Sequence, residues 1–250
     1  MKLAHVITRI RQRRARAKQL EAFRQEFETF GSQFQRSPRG FQLAWEDHFP
    51  ILDEKTASTD FDRHYVYHTS WAARILAKRR PKFHVDIASS LYFAGIASAF
   101  VPVRFYDYRP ANLRLNNLTS ESIDLTRLAF EDKSIASLSC MHVVEHIGLG
   151  RYGDPLDPDG DLKAMNELQR VVAKKGALLF VVPVGVARIQ FNAHRIYSYE
   201  QVRDSFSRLT LKEFSLVPDS AADGGLIVNA SPEMVKKQRY ACGCFLFTRK

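Results

Sequence analysis

Residues 124–148, DLTRLAFEDKSIASLSCMHVVEHIG, set two imidazoles and a carboxylate, His142, Glu145 and His146, directly after a run of alternating apolar and small residues. That run, 135–141, reads as a buried strand, and His142, Glu145 and His146 fall where it gives way to a loop or short helix. Histidine exchanges a proton near neutral pH, and a neighbouring carboxylate can orient its ring. The cluster therefore suits general-base chemistry on a weakly acidic hydroxyl. His194, in FNAHRIYS, follows the next apolar strand and would stand at the same edge of the sheet, where Arg195 and Tyr197 could meet an acidic or sugar substrate. Upstream, His64, Tyr65 and His68 read as part of a lid. Asp107 ends another strand in VRFYDYRP, and a carboxylate so placed can accept two hydrogen bonds from ribose hydroxyls.

Two metal readings compete for these residues. His142 to His146 spells HxxEH, a zinc-peptidase pattern that requires both histidines on one helix. A strand precedes it and GLGRYGDP follows, so a zinc hydrolase is disfavoured and no metal ligand is assigned. The loop GRYGDPLDPDGD carries Asp154, Asp157, Asp159 and Asp161, yet lacks the register and terminal glutamate of a calcium loop. Asp159 or Asp161 is expected to cap the following helix.

The elements that must position this chemistry alternate. Strands are expected at 83–88, 103–108, 122–125, 135–141 and 177–184, with helices at 91–100, 162–172 and 199–207, then strands at 209–217 and 241–248. Asp86 in the first strand is expected to hold the turn that follows it rather than to react. Before this pattern, residues 1–30 read as a basic amphipathic helix, 31–80 as a linker and helical lid with loops at 31–40 and 50–60 and a helix over 62–81, and 81–250 as the main domain. In open α/β sheets ligands bind outside the carboxyl ends of the strands, where this histidine cluster would stand.

A chain of 250 residues with 45% hydrophobic content can bury a core, which excludes a mainly disordered protein. The net charge of +10 comes largely from Lys2, Arg9, Arg11, Arg13, Arg14, Arg16 and Lys18, ahead of the first acidic residue, Glu21. Without them the balance is ordinary, which argues against specific nucleic-acid binding and leaves an anionic membrane surface or a packing partner for residues 1–30. No apolar run has the length of a membrane span, and the start lacks a signal-peptide core. Cys140, Cys242 and Cys244 make neither a disulfide framework nor a zinc signature, so a reducing, cytoplasmic compartment is expected, with peripheral contact at the inner face of the membrane.

From about residue 80 onward, the order of elements and the strand ending in MHVVEH resemble the class I S-adenosylmethionine-dependent methyltransferases. The resemblance implies an α/β Rossmann-like methyltransferase fold: a mostly parallel seven-stranded sheet with helices on both faces, here preceded by the N-terminal helical extension. It implies S-adenosylmethionine as cofactor, with HVDIASSLYFAG in place of the glycine-rich turn. Asp86, Ala88 and Gly95 would belong to that turn, Asp107 would hold the ribose and Tyr108 would pack on the adenine. Asp124 and Leu125 would meet the adenine edge, and Met141 with His142 would line the floor. Ala88, Ser90 and Tyr92 depart from the glycines common there. FVPVRFYDYRP, SLSCMHVVEHIGLGRYGDPLDPDGD and FNAHRIYS are similar to an uncharacterised family described as a Caenorhabditis protein of unknown function, which also occurs in bacteria near surface-polysaccharide genes. The expectation is methylation of a hydroxyl on a small-molecule, sugar or glycan acceptor, with His142, His146 or His194 as base and Glu145 as orienting group. The alternative is a non-catalytic module that scaffolds polysaccharide assembly.

Overall fold

A computed structural model describes residues 2–36 and 40–250, with 2–7 as backbone alone. The chain divides into two compact units, Met1–Asp60 and Phe61–Lys250.

In the first unit, helix α1 (Lys2–Phe34) runs past the expected end at residue 30. Part of the expected loop over 31–40 is helix, and residues 37–39 lie outside the described residues. Phe27 meets Trp45 edge to face at 5.0 Å, and Trp45 stacks on His48 at 4.3 Å. Arg16 pairs with Asp53, and Lys55 with Glu26, so residues 45–55 fold back along α1. Ile10 and Leu20 stay exposed, whereas Phe23 and Phe27 are partly covered. No helix among the described residues is long and apolar enough to cross a membrane.

The second unit begins with α2 (Arg63–Arg79), capped by the Asp62 carboxylate on the Tyr65 N–H. In chain order follow β1 (His84–Ile87), α3 (Leu91–Ala97), β2 (Val103–Asp107), β3 (Leu118–Ser122), β4 (Ile135–Met141), α4 (Gly160–Val171) and β5 (Val172–Val184). Then come β6 (Arg188–Gln190), β7 (His194–Ile196), α5 (Tyr199–Ser205), β8 (Thr210–Val217), α6 (Pro232–Val235) and β9 (Ala241–Thr248). The main sheet has the order β3-β2-β1-β4-β5-β9-β8. β1 to β5 pair in parallel, and β9 runs antiparallel between β5 and β8. β6 and β7 form a separate hairpin.

Strand alternation sends β5 side chains to two cores. Leu178, Phe180, Val182 and Val184 join Met165 and Leu168 of α4 on one face. Ala177, Leu179 and Val181 join Trp71 and Leu76 of α2 and Phe93 of α3 on the other. α2, expected within a lid region, thus helps cover the sheet, while its first turn carries His64 and Tyr65 to the sheet's edge. One strand is displaced from its expected place: β3 ends at Ser122, and residues 123–125 leave the sheet. The cause is Asp124, whose carboxylate accepts the Thr126 N–H at 2.8 Å and its hydroxyl at 2.7 Å and so turns the chain.

Between the cores, β1 and β4 share a buried polar chain. Ser137 Oγ lies 2.8 Å from His84 Nδ1, Ser139 Oγ lies 2.8 Å from His84 Nε2, and Ser139 donates to Asp86. These contacts orient protons in one direction if Ser137 donates to Nδ1 and Nε2–H donates to Ser139. Burial holds the His84 pKa down at about 3, against 6.5 in an unfolded chain. Its contribution to stability is therefore whole above pH 6.5 and is lost as the pH falls towards 3. We expect wild type to lose about 2 kcal/mol more than His84→Gln between pH 7 and about pH 5, read from urea unfolding. Equal slopes for the two proteins would show that His84 accepts a proton in the fold.

Candidate functional site

The carboxyl ends of β1, β2 and β4 open onto two adjoining cavities. One of about 350 Å³ is lined by Ala88, Asp107, Tyr108, Asp124, Leu125 and His146 among others. The second, about 490 Å³, is bounded by His64, Tyr65, Met141, His142, His194 and Tyr240 with their neighbours. Ala88, His142, His146 and Tyr152 border both. Residues far apart in sequence meet here because β1 and β4 are adjacent in the sheet while their following segments diverge.

The first cavity has its acceptors on two turns. Asp107 ends β2, takes the Arg109 N–H on one carboxylate oxygen at 2.8 Å and lines the cavity. Asp124 is fixed by Thr126, and Leu125 beside it is buried. Tyr108 is 56% exposed, a free aromatic face at the rim. The turn after β1 takes the shape that glycine normally supplies: Ala88 has φ +55° and donates its N–H to the Tyr106 carbonyl at 2.7 Å. Asp86 lies behind that turn, fully buried, and accepts the Ser89 N–H at 3.1 Å. Burial raises its pKa from 3.8 to about 6 against the opposing hydrogen bonds. Gly95 sits on α3, outside both cavity linings, with Leu115 near the position a Cβ would take.

The second cavity is built around Glu145, whose side chain is 1% exposed. Its Oε1 accepts from His142 Nδ1 at 2.9 Å and stands 3.8 Å from His146 Nε2. His142 directly follows β4 with φ +57°, and its ring stacks against His64 at 5.4 Å and Tyr65 at 5.7 Å. Burial opposes a charge on His142, but the Cys242 sulfur and Glu145 carboxylate outweigh it and push the pKa up to about 10. Burial, with the positive His142 nearby, pulls His64 down to about 4 and His68 to about 3.

His146 is differently placed. Its Nδ1 lies 2.6 Å from the Ala193 carbonyl, which accepts the Nδ1–H, and its Nε2 makes no hydrogen bond and stands 3.8 Å from Glu145 Oε1. His194 stacks on Tyr240 at 4.8 Å, and its Nε2 bonds the Gln190 amide oxygen at 2.7 Å. Burial also lowers the His194 pKa.

The substrate role expected for Arg195 and Tyr197 is not supported by their surroundings. Arg195 is buried and donates to the Ile147 and Pro158 carbonyls at 2.6 and 3.1 Å, while Tyr197 donates to Asp161 at 2.8 Å. They clamp the loop after His146. The same contacts explain the aspartates once weighed as caps: Asp159 makes no side-chain cap, and Asp161 pairs with Tyr197 and Arg195. Gly148 allows the loop to close, since at φ +77° a Cβ would lie 2.0 Å from the Asp157 carbonyl oxygen. Tyr240 and Cys242, neither of which the sequence places at the site, stand beside it. Their only sequence signal is their place at the start of an antiparallel last strand, which returns them to this edge.

Residues 119–209 match a family described as a Caenorhabditis protein of unknown function. No curated protein matches the chain. Among solved structures, one assigned as a sarcosine dimethylglycine methyltransferase from Galdieria sulphuraria aligns at TM-score 0.52 and 15% identity, over 73% of this chain and 84% of that one. One assigned as a methyltransferase from Bacillus halodurans aligns at TM-score 0.52 and 13% identity, over 72% and 98%. The 1,6-didemethyltoxoflavin-N1-methyltransferase of Burkholderia thailandensis, solved with S-adenosylhomocysteine, aligns at TM-score 0.50 and 9% identity, over 73% and 78%. These similarities establish the Rossmann-like methyltransferase fold.

Ala88→Gly is expected to stabilise the protein by up to about 1 kcal/mol by relieving the left-handed turn, and Ala88→Val to destabilise it. Thermal unfolding reads both. A lower melting temperature for the glycine variant would mean that the alanine turn is not strained.

Proposed function

We propose that this chain is an S-adenosylmethionine-dependent methyltransferase that acts on a hydroxyl of a polar acceptor, such as a sugar or glycan precursor. The observation that carries the reading is the pairing of two cavities: one bordered by the carboxylates of Asp107 and Asp124, the other by His146, whose Nε2 makes no hydrogen bond, with Ala88, His142 and His146 between them. The fit to the cofactor rests on the turn at Ala88, whose backbone takes the glycine-like conformation despite its side chain. Asp107 would accept from the ribose hydroxyls, Asp124 and Leu125 would lie at the adenine edge and Tyr108 would cover the ring. When bound, S-adenosylmethionine supplies an electrophilic methyl group on a sulfonium.

The protein's own part is orientation and proton removal. His146 is the base this geometry favours among the three histidines, because the Ala193 carbonyl holds its Nδ1–H and leaves Nε2 free. His142 is committed to Glu145, and His194 to Gln190. An acceptor hydroxyl at His146 Nε2 would pass its proton to the ring as its oxygen gains the methyl group. Arg63, Arg151 and the rings of Tyr65 and Tyr240 give the second cavity cations and aromatic faces suited to a hydroxylated, anionic or sugar-like acceptor.

Calorimetric titration with S-adenosylmethionine and S-adenosylhomocysteine tests the cofactor. Asp107→Asn is expected to weaken both by about tenfold or more while leaving the melting temperature unchanged. A folded wild type that binds neither would overturn the enzyme reading in favour of a non-catalytic module. In assays against a panel of sugars, His146→Gln is expected to lower turnover by about 10²–10⁴ with cofactor affinity retained. Full turnover in that variant would move the base elsewhere.

A further inference from the structure

Three side chains that the proposed proton transfer does not use converge on the wall of the larger cavity. His64 comes from the first turn of α2, His142 from directly after β4 and Cys242 from the start of β9. One ligand-type atom from each, two imidazole nitrogens and a sulfur, all lie within 4.8 Å of one another. This is the one such group of three or more metal-ligand side chains found among the described residues.

The surroundings of His142 point the same way. Its Nδ1 is held by Glu145, its side chain is only 5% exposed, and its Nε2 has no oxygen or nitrogen partner. The ring meets the Cys242 sulfur instead, a weak hydrogen-bond partner, so Nε2 stands among the buried polar atoms that lack an oxygen or nitrogen partner. Three of the four such atoms among the described residues, His68 Nε2, His142 Nε2 and Glu145 Oε2, belong to this one region. Cys242 is a fully buried free thiol whose nearest sulfur contact, Cys244 Sγ, is at 3.9 Å. A carboxylate that holds one imidazole nitrogen is the arrangement by which proteins orient metal-binding histidines.

The geometry points to a binding site for a divalent transition metal of the zinc class, with His64, His142 and Cys242 as its three protein ligands and Glu145 as the group that orients His142. Two imidazoles and a thiolate form a borderline-to-soft donor set, which favours zinc or cobalt and rejects magnesium and calcium. On binding, the metal replaces the proton on Cys242 Sγ and any proton on His142 Nε2, and both pass to solvent. Three protein ligands leave room for a fourth. His64 and His142 line the larger cavity, so a water or an acceptor oxygen can reach that position. The site needs no S-adenosylmethionine, so it stands or falls apart from the methyl-transfer reading.

The test is titration of chelator-stripped, full-length protein with cobalt(II) and no cofactor present. One equivalent is expected to bind, giving the strong visible bands of a four-coordinate site and a thiolate-to-cobalt charge-transfer band, both removed by zinc. Cys242→Ser is expected to abolish the charge-transfer band, Cys244→Ser and Cys140→Ser to keep it, and Glu145→Gln to weaken zinc binding by about tenfold. His64→Ala, at the cavity rim, repeats the test should the buried cysteine variant fail to fold, and it is expected to lose stoichiometric binding. Failure of the folded wild type to bind cobalt or zinc would overturn the proposal, as would a charge-transfer band that survives in Cys242→Ser.

Discussion

The hydrogen bond from His142 to Glu145 is buried at the end of the central strand β4, and the arrangement of the whole edge follows from it. Removing one member of such a pair leaves an uncompensated buried group, which typically costs about 3–5 kcal/mol. The pair fixes the His142 ring, and His64, Tyr65 and His68 of α2 pack around that ring at centroid distances between 5.0 and 5.7 Å. Helix α2 is thereby docked at the site as well as on the core. The same carboxylate stands 3.8 Å from His146 Nε2, so two imidazoles share one buried carboxylate.

That anchor can be buried because the sheet around it is fully covered. β4 and β5 lie between two apolar layers, and α2 and α3 close the face opposite α4 and α5. Within this framework one buried polar string is satisfied along its length, the run from Ser137 through His84 and Ser139 to Asp86. It ends at Ser89, directly beneath the Ala88 turn. The strain of two non-glycine residues at positive φ, Ala88 and His142, is therefore held by buried hydrogen bonds on either side of the cavity mouth.

The loop after His146 shows how much of an acidic, glycine-rich stretch can be structural. Asp154 accepts from the Gly148 and Tyr152 N–H groups, Asp157 pairs with Lys163, and Asp161 holds Tyr197 and Arg195. These contacts keep His146 at the boundary of both cavities. Residue types that suggest a cation or a substrate contact here stabilise a turn, whereas the donor set at His64, His142 and Cys242 is assembled from three separate elements.

Local sequence determined the order and type of the main-sheet elements, because near-continuous runs of apolar and small residues such as 135–141 and 241–248 fit strands buried on both faces. It also marked Asp107, Asp124, His142, Glu145 and His146, since polar groups just past a buried strand have few structural reasons to be there. The end of β3 was not legible, because the Asp124 turn that stops it depends on a side-chain contact with Thr126. Nor were the partners of the individual histidines, the Ala193 carbonyl 47 residues from His146 and the Glu145 carboxylate three residues from His142. Arg195 and Tyr197 look like substrate groups in sequence and become clamps only once Ile147, Pro158 and Asp161 close on them. Cys242 gives the sharpest contrast. A lone CxC predicts nothing, and only the antiparallel course of β9, a non-local pairing set by the whole sheet, brings its sulfur to the imidazoles of His64 and His142.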